Sequence, residues 1–367
     1  MPEILPGIDA AKALEALGQA GLNERLRDAI LDALRQAESE SGDPSAFRYE
    51  VRWPIIQALL ERAKTQRVEL DCGLLFEVAL EGRIEQALLL SAAAHPDHVW
   101  EPQTTRLLVT LGANAGNVIV GGAYIGDQVL LIARAMAKQD PAGRIHAFEP
   151  MAWSLRQLRH HLDLNHITNV VAHGLGLWDQ SDVALSVEGP PALASSHPVE
   201  PGSAAPTGVV TSLTINDYVD SEQLKRVGLI MLDTEGGEFA ALRGASKLLA
   251  RPPAEAPHLV FEVHRSYVDW SDGLENTPII RLVASQGYAV FAIRDFHDNY
   301  AMAGRPIEII PVDRVYLEGP PHGFNLLATK DVGLVKRLGL RVVENVSPKL
   351  LVDKDPALHH PLDGLPR

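Results

Sequence analysis

The spacing of hydrophobic residues changes near residue 106, and the change predicts two kinds of structure. Before it, apolar residues recur at helical intervals, for example between Leu26 and Leu34 after the helix-capping residue Asn23. After it, short apolar runs alternate with amphipathic helices, which indicates a parallel sheet covered by helices on both faces. We therefore predict a helical accessory region over residues 1–105 and an α/β domain over residues 106–367.

The clearest strand of the α/β domain runs from Val118 to Gly121, and it is followed by a glycine turn from Gly122 to Gly126. Its β-branched residues suit a buried parallel strand, and an apolar helix follows the turn. A second strand, residues 144–148, ends at Glu149. A glycine turn after one strand and an acid after the next is how α/β proteins hold an adenosine ribose. This pattern predicts a nucleoside-bearing cofactor, although Glu149 could instead cap the next helix.

A second glycine motif, Leu111 to Gly116, lies just upstream and could also be a strand-to-helix turn. If it were, residues 117–122 would begin the helix, and their β-branched residues and two glycines make a poor start. We therefore assign the cofactor turn to Gly122–Gly126. Further along, the segment from Gly189 to Gly208 carries five prolines, and we expect it to be irregular, either a flexible insertion or a lid over the site.

An acidic cluster follows the apolar strand at residues 227–232. Asp233, Glu235 and Glu238 lie at what should be the carboxyl edge of the sheet, where open α/β sheets bind ligands. These carboxylates could orient a substrate hydroxyl, face a cationic cofactor or hold a divalent metal such as magnesium or calcium. On the next strand Glu262 and His264 share one side, and His264 could act as a general base.

The composition disfavours several classes of function. A net charge of −14 argues against nonspecific nucleic-acid binding, and no apolar run is long enough for a membrane span. Cys72 is the single cysteine, which excludes an intrachain disulfide and fits a reducing cytoplasm. We expect a cytoplasmic protein whose first hundred residues serve homo-oligomerisation or substrate selection, or simply complete the fold as a helical cap.

In the order of its motifs the chain resembles FkbM-type methyltransferases, which use S-adenosylmethionine and a class I, Rossmann-like fold with a seven-stranded, mostly parallel sheet. The resemblance covers roughly residues 106–330 and implies a methyl transfer, mostly O-methylation of a small molecule or sugar. The motifs that carry it are Gly122-Ala-Tyr-Ile-Gly126-Asp127, Phe148-Glu149-Pro150, Leu164-Asn165, Leu232-Asp233-Thr-Glu235-Gly236-Gly-Glu238, Gly244-Ala245 and Glu262.

The resemblance also implies which residues form the site. Cofactor contacts fall to Gly122, Tyr124, Gly126 and Asp127, with Glu149 on the ribose. Because an aliphatic hydroxyl is a weak nucleophile, a base or metal must help remove its proton. We assign that chemistry to three residues: Asp233, Glu235 and His264.

Two positions depart from the family pattern. Val120 stands where the family usually has an aspartate, and Tyr124 stands where it usually has an asparagine. Two other readings therefore remain open at this point. An NAD-dependent oxidoreductase would share the glycine turn but leave the acidic cluster unexplained, and a noncatalytic module would keep the fold for binding alone.

Overall fold

The computed structural model describes residues 10–190, 193–199, 208–317 and 323–350. The chain divides into two compact units, the first made of residues 1–99 and 298–301 and the second of residues 100–297 and 302–367. The sequence-based boundary between residues 105 and 106 falls inside a helix, Pro102–Gly112, that belongs to the second unit.

The first unit is mostly helical, with one antiparallel pair of strands and a π-helical turn at Arg48–Arg52. Its elements are α1 (Ala10–Gly21), α2 (Glu24–Glu40), α3 (Pro44–Phe47), α4 (Trp53–Ala63), β1 (Gln66–Glu69), β2 (Leu75–Val78) and α5 (Arg83–Leu89).

Helix α2 begins as predicted, because the Asn23 side chain accepts a hydrogen bond from the Leu26 backbone N–H at 3.0 Å. The predicted apolar face between Leu26 and Leu34 is wrong, since Leu26 itself is exposed. The side that α2 buries instead includes Glu38, which forms ion pairs with Arg48 and the fully buried Arg52. A buried charge network thus sets the orientation of this helix.

The second unit is an α/β sheet domain. Its helices are α6 (Pro102–Gly112), α7 (Val129–Gln139), α8 (Ala152–Leu164), α9 (Ile215–Ser221), α10 (Glu238–Arg243), α11 (Ser246–Leu249), α12 (Pro278–Ser285) and α13 (Leu334–Arg337). Its strands are β3 (Asn117–Gly121), β4 (Arg144–Phe148), β5 (Val170–His173), β6 (Gly176–Leu177), β7 (Ala184–Glu188), β8 (Ser195–Pro198), β9 (Val209–Leu213), β10 (Val227–Leu232), β11 (His258–Val263), β12 (Ala289–Ile293), β13 (Asp295–Phe296), β14 (Glu308–Pro311), β15 (Phe324–Thr329), β16 (Arg341–Val342) and β17 (Lys349–Leu350).

The main sheet has nine strands in the order β16-β14-β12-β15-β11-β10-β3-β4-β5. From β12 to β5 it is the predicted seven-stranded, mostly parallel sheet, in which β15 alone runs opposite to its neighbours. Strands β14 and β16 extend one edge. Alternate residues of the central strands pack on opposite faces: Ile119 and Ile230 join a core with α9–α12, whereas Leu229 faces α6 and α7. The class I fold is therefore confirmed.

Outside the main sheet, β6, β9, β7 and β8 form a four-stranded sheet. Strand β8 lies inside the proline-rich segment that we expected to be irregular, so that expectation is wrong for residues 195–198, which pair antiparallel with β7. Residues 191–192 and 200–207 of this segment lie outside the described residues, and the lid hypothesis stays a prediction. No helix in the described part of the chain is long and apolar enough to cross a membrane.

Candidate active site

The glycine turn after β3 brings two strand ends into direct contact. Gly122 has a φ of +74°, and a Cβ on it would lie 1.5 Å from the backbone oxygen of Asp233. Both the torsion and the space therefore require glycine at this position. The upstream glycine motif ends helix α6 and leads into β3, whereas the role of Gly122–Gly126 as the cofactor turn stays a prediction.

Tyr124 occupies the middle of the turn with a φ of +44°, in the left-handed region that asparagine tolerates far better than an aromatic residue. This torsion gives a physical reason for the asparagine that the family usually carries. Here the buried tyrosine ring packs against Trp153, with the ring centroids 6.3 Å apart. Val120 is buried within β3, and the polar contact expected there is replaced by apolar packing.

Glu149 lies at the end of β4, and its carboxylate binds the backbone of the glycine turn. One carboxylate oxygen accepts a hydrogen bond from the Tyr124 backbone N–H and the other from that of Met151, both at 2.8 Å. Burial raises the pKa of Glu149 to about 7, and these two hydrogen bonds oppose the shift. A carboxylate offers about four acceptor positions, so acceptor capacity remains for the two hydroxyls of a ribose. Met151 is the residue before α8, so capping of that helix by Glu149 stays a prediction.

The acidic residues after β10 meet an acid from β11. Asp233, Glu235 and Glu262 each present a carboxylate oxygen, and these three oxygens lie within 4.8 Å of one another. Burial raises the pKa of Asp233 well above its ordinary value, and the neighbouring Glu235 adds to the shift. The pKa of Glu262 is raised in the same way, by burial and by Asp233. Burial raises the pKa of Glu235 to about 7. The cluster can therefore accept a proton near neutral pH or share a cation.

Glu238 has a structural task in this loop. Its carboxylate accepts hydrogen bonds from the Thr234 hydroxyl at 2.8 Å and the Gly236 backbone N–H at 3.0 Å. The same carboxylate also binds the Thr234 backbone N–H. These bonds hold Glu235 at a φ of +51°, a left-handed torsion that is costly for a side chain with a Cβ. In this strained loop, the Glu235 side chain lies beside Asp233.

A buried acid that the sequence analysis missed, Glu101, lies just before α6. Its carboxylate accepts hydrogen bonds from the Asn325 side chain at 2.8 Å and the Gln128 side chain at 3.3 Å, and His297 lies 3.4 Å away. Burial raises the pKa of Glu101 well above its ordinary value, and the charge of Asp233 contributes. Glu101 therefore faces the same site, although its sequence position fell in the predicted accessory region.

Two buried side-chain oxygens beside Glu101 have no hydrogen-bond partner, Oδ1 of Asn325 and Oε1 of Gln128. Asn325 stands directly opposite Glu262 on the paired strands β15 and β11, so both side chains leave the same face of the sheet. An unpaired oxygen in a buried, acid-rich region is an acceptor that calls for a donor or a cation. Nothing in the local sequence around Asn325 signals this role.

His264 follows the end of β11, where the chain turns. Its Nδ1 accepts a hydrogen bond from the Ser266 backbone N–H at 3.0 Å, so the neutral ring carries its proton on Nε2. Burial lowers the pKa of His264, and the positive charge of Lys349 adds to the shift. This arrangement favours a hydrogen-bond donor over a base. The group of carboxylates that converge within 4.8 Å does not include His264.

Asp127, buried at the start of the helix that follows the glycine turn, lies close enough to raise the pKa values of both Glu101 and Asp233. Of the predicted cofactor residues, Gly122, Tyr124 and Glu149 thus share one hydrogen-bonded turn. Gly126 closes it with a backbone hydrogen bond to Ala123 at 2.9 Å.

Comparison with models of protein families gives a match in the second unit. The model of the methyltransferase FkbM domain matches residues 121–290. No curated protein matches the chain.

Several solved methyltransferase structures are similar to parts of the chain. A precorrin-6y C5,15-methyltransferase from Geobacter metallireducens is 13% identical over 62% of this chain and 88% of its own, with a TM-score of 0.32. An O-methyltransferase from Bacillus cereus in complex with SAH is 11% identical over 62% and 81%, with a TM-score of 0.34. A SAM-dependent methyltransferase from Agrobacterium tumefaciens is 12% identical over 72% and 69%, with a TM-score of 0.35.

Proposed function

We propose that this chain, which carries a methyltransferase FkbM domain over residues 121–290, transfers a methyl group from S-adenosylmethionine to a hydroxyl group of a small molecule or sugar. The observation that carries the proposal is the contact between Gly122 and the backbone of Asp233. It joins a turn suited to a nucleoside with a cluster of carboxylates suited to a hydroxyl. Donor and acceptor would then meet at one sheet edge.

The cofactor half of the site is formed by the ends of β3 and β4. The glycine turn leaves room for the methionine part of the cofactor, and Glu149 accepts hydrogen bonds from the ribose hydroxyls. The carboxyl groups of Glu101 and Asp127 suit a cofactor that carries a positive sulfonium and an ammonium group. The backbone N–H of Tyr124 donates a hydrogen bond to Glu149 and so holds this carboxylate beside the turn.

Bound S-adenosylmethionine would supply the methyl group, and the acceptor hydroxyl would give up its proton to a residue of this chain. Glu235 is the best placed proton acceptor, because a base with a pKa of about 7 is matched to neutral conditions. Asp233 orients the hydroxyl, and His264 donates a hydrogen bond from Nε2. Holding the two reacting atoms in contact away from water supplies much of the rate enhancement.

Two measurements test this proposal. Calorimetry should detect S-adenosylhomocysteine binding and no NAD binding, which separates a methyltransferase from an NAD-dependent oxidoreductase. A transfer assay with labelled methyl groups on a panel of hydroxylated metabolites should then detect product, which separates an enzyme from a noncatalytic module. Absence of heat with S-adenosylhomocysteine refutes the proposal.

Variants assign the roles within the site. Asp233→Asn and His264→Ala should each lower turnover with little change in cofactor affinity, because neither side chain belongs to the cofactor half. Asp163→Asn, which removes an exposed acid on α8, should leave turnover unchanged and serves as the control. Wild-type turnover in either site variant removes that residue from the mechanism.

The partners and cellular location belong to the same proposal. The charge of −14 supports a small-molecule or sugar acceptor rather than a nucleic acid, and the lone Cys72 supports a cytoplasmic location. Homo-oligomerisation through the N-terminal helices stays a prediction, which size-exclusion chromatography with light scattering would test.

A further inference from the structure

We propose that Asp233, Glu235 and Glu262 form a binding site for one divalent cation, with Oδ1 of Asn325 as a fourth oxygen ligand. Carboxylate and amide oxygens are the ligands that Mg²⁺, Mn²⁺ and Ca²⁺ prefer. The inference rests on the proposed function, because the cation would hold the acceptor hydroxyl and lower its pKa. Glu235 would bind the cation through one carboxylate oxygen and accept the hydroxyl proton on the other.

The spacing of the carboxylate oxygens fits a metal ion. Ligands on opposite sides of a cation are about 4.2 Å apart around Mg²⁺ and about 4.8 Å apart around Ca²⁺, from their usual bond lengths. The three oxygens in this site lie within 4.8 Å of one another. Three oxygens this close together could surround either ion.

The unpaired oxygen of Asn325 is independent support for a cation. Asn325 is only 3% exposed, and its amide nitrogen is already committed to Glu101, so the amide orientation is fixed with Oδ1 left over. Its position opposite Glu262 places this oxygen on the face from which the carboxylate projects. A buried amide oxygen costs free energy unless it is paired, and a cation shared with Glu262 would pair it.

Glu262 is held in place within the cluster. Gly323 packs so closely on the Glu262 carboxyl that a Cβ at position 323 would overlap it. A fixed carboxylate beside two neighbouring acids is an arrangement that suits a bound divalent ion.

The test is a titration of chelator-treated protein with Mn²⁺, in which electron paramagnetic resonance measures the free ion. Wild-type protein should bind one Mn²⁺ per chain, and an excess of Ca²⁺ or Mg²⁺ should displace it. Glu262→Gln keeps the shape of the side chain and should weaken Mn²⁺ binding at least tenfold. Asp233→Asn should do the same and replaces it if the first variant does not fold.

Asp272→Asn is the matched control, because it removes an exposed carboxylate elsewhere in the same unit and should leave Mn²⁺ affinity unchanged. Lack of Mn²⁺ uptake by the wild type, or equal affinity in the wild type and Glu262→Gln, overturns the metal site. Calorimetry with S-adenosylhomocysteine in the presence of chelator is a separate readout. If the protein binds S-adenosylhomocysteine but not Mn²⁺, only the metal site is rejected. If it binds Mn²⁺ but not S-adenosylhomocysteine, only the proposed function is rejected.

Discussion

Replacing Glu149 with glutamine should weaken cofactor binding by one to two orders of magnitude. The substitution removes the negative charge that would accept hydrogen bonds from the ribose hydroxyls. It also turns an amide NH₂ toward one of two backbone donors, the N–H of Tyr124 or of Met151, which now lie 2.8 Å from the carboxylate. Hydrogen bonds to a charged group contribute about 1.5–3 kcal/mol, and about 1.4 kcal/mol corresponds to tenfold in affinity.

The pH dependence sharpens this prediction. Burial raises the pKa of Glu149 to about 7, and the ionised form is the better acceptor for ribose hydroxyls. Wild-type affinity should therefore fall as the pH drops from 8 to 6, by up to about tenfold per pH unit below the pKa. Glu149→Gln cannot ionise and should lose this component of the pH dependence.

The assay is calorimetry with S-adenosylhomocysteine between pH 6 and pH 8, with Asp163→Asn as the control. Circular dichroism checks that each variant is folded before the titration. An affinity for Glu149→Gln within threefold of the wild type at pH 8 would refute the assignment of the ribose to this carboxylate.

Three further predictions concern the turn, the acids and the first unit. Gly122→Ala should lower the free energy of unfolding more than Gly304→Ala does. Both glycines have similar positive φ values, but only at Gly122 would a Cβ overlap a facing carbonyl oxygen. Equal losses of stability in urea denaturation would contradict this prediction. Mn²⁺ affinity should rise from pH 6 to pH 8, because Glu235, with its pKa of about 7, must lose its proton to bind the metal. An Mn²⁺ affinity that does not change with pH in the paramagnetic resonance titration would argue against Glu235 as a ligand. Arg52→Met should lower the free energy of unfolding by about 3–5 kcal/mol in guanidinium denaturation, because it leaves the buried Glu38 without this partner. Arg25→Met, which changes an exposed arginine, should change the free energy of unfolding by less than about 0.5 kcal/mol. Similar values for the two variants would refute the structural role of the buried ion pair.

The fold could be predicted from the sequence because its strongest signals are local. β-Branched runs such as Val118–Val120 mark buried parallel strands, and a glycine at 122 marks a torsion that other residues avoid. The order of these signals along the chain then limits the topology to a parallel sheet. The same locality explains why both glycine motifs had to be weighed, since each alone resembles a turn.

The site could be predicted only in part, because several of its groups come from distant elements. Glu101 and Asn325 are separated by more than two hundred residues and meet through a hydrogen bond between their side chains. Asn325 reaches Glu262 through the pairing of β15 with β11. For His264, the limit is local, because the predicted alternation assumed that the strand continues to this residue. Its spacing from Glu262 suggests a shared face, but the strand ends at Val263 and the histidine turns to bind Ser266. Beyond the end of a strand, the alternation of side chains no longer predicts on which face of the sheet a residue lies.

The first unit shows a third limit. An apolar stripe predicts which face of a helix is buried, but in α2 the ion pair of Glu38 with Arg52 decides it. Arg52 also donates hydrogen bonds to the backbone oxygens of Leu89 and Ser91, at 3.0 and 2.7 Å. Hydrophobicity rules place charged residues at the surface, so a buried arginine that is held by an ion pair and backbone oxygens cannot be recognised without its partners.

Backbone contacts, rather than side chains, fix the distance between the two halves of the site. The Gly122 N–H donates to the Phe148 oxygen and the Asp233 N–H donates to the Gly121 oxygen, both at 2.9 Å, which ties the ends of β4, β3 and β10 together. A misplacement of about 1 Å can slow a positioned reaction about a hundredfold, so a rigid frame matters more here than a tight pocket. Changing the charge of the acids should therefore alter the rate without moving the cofactor, whereas a side chain at position 122 should damage both halves at once.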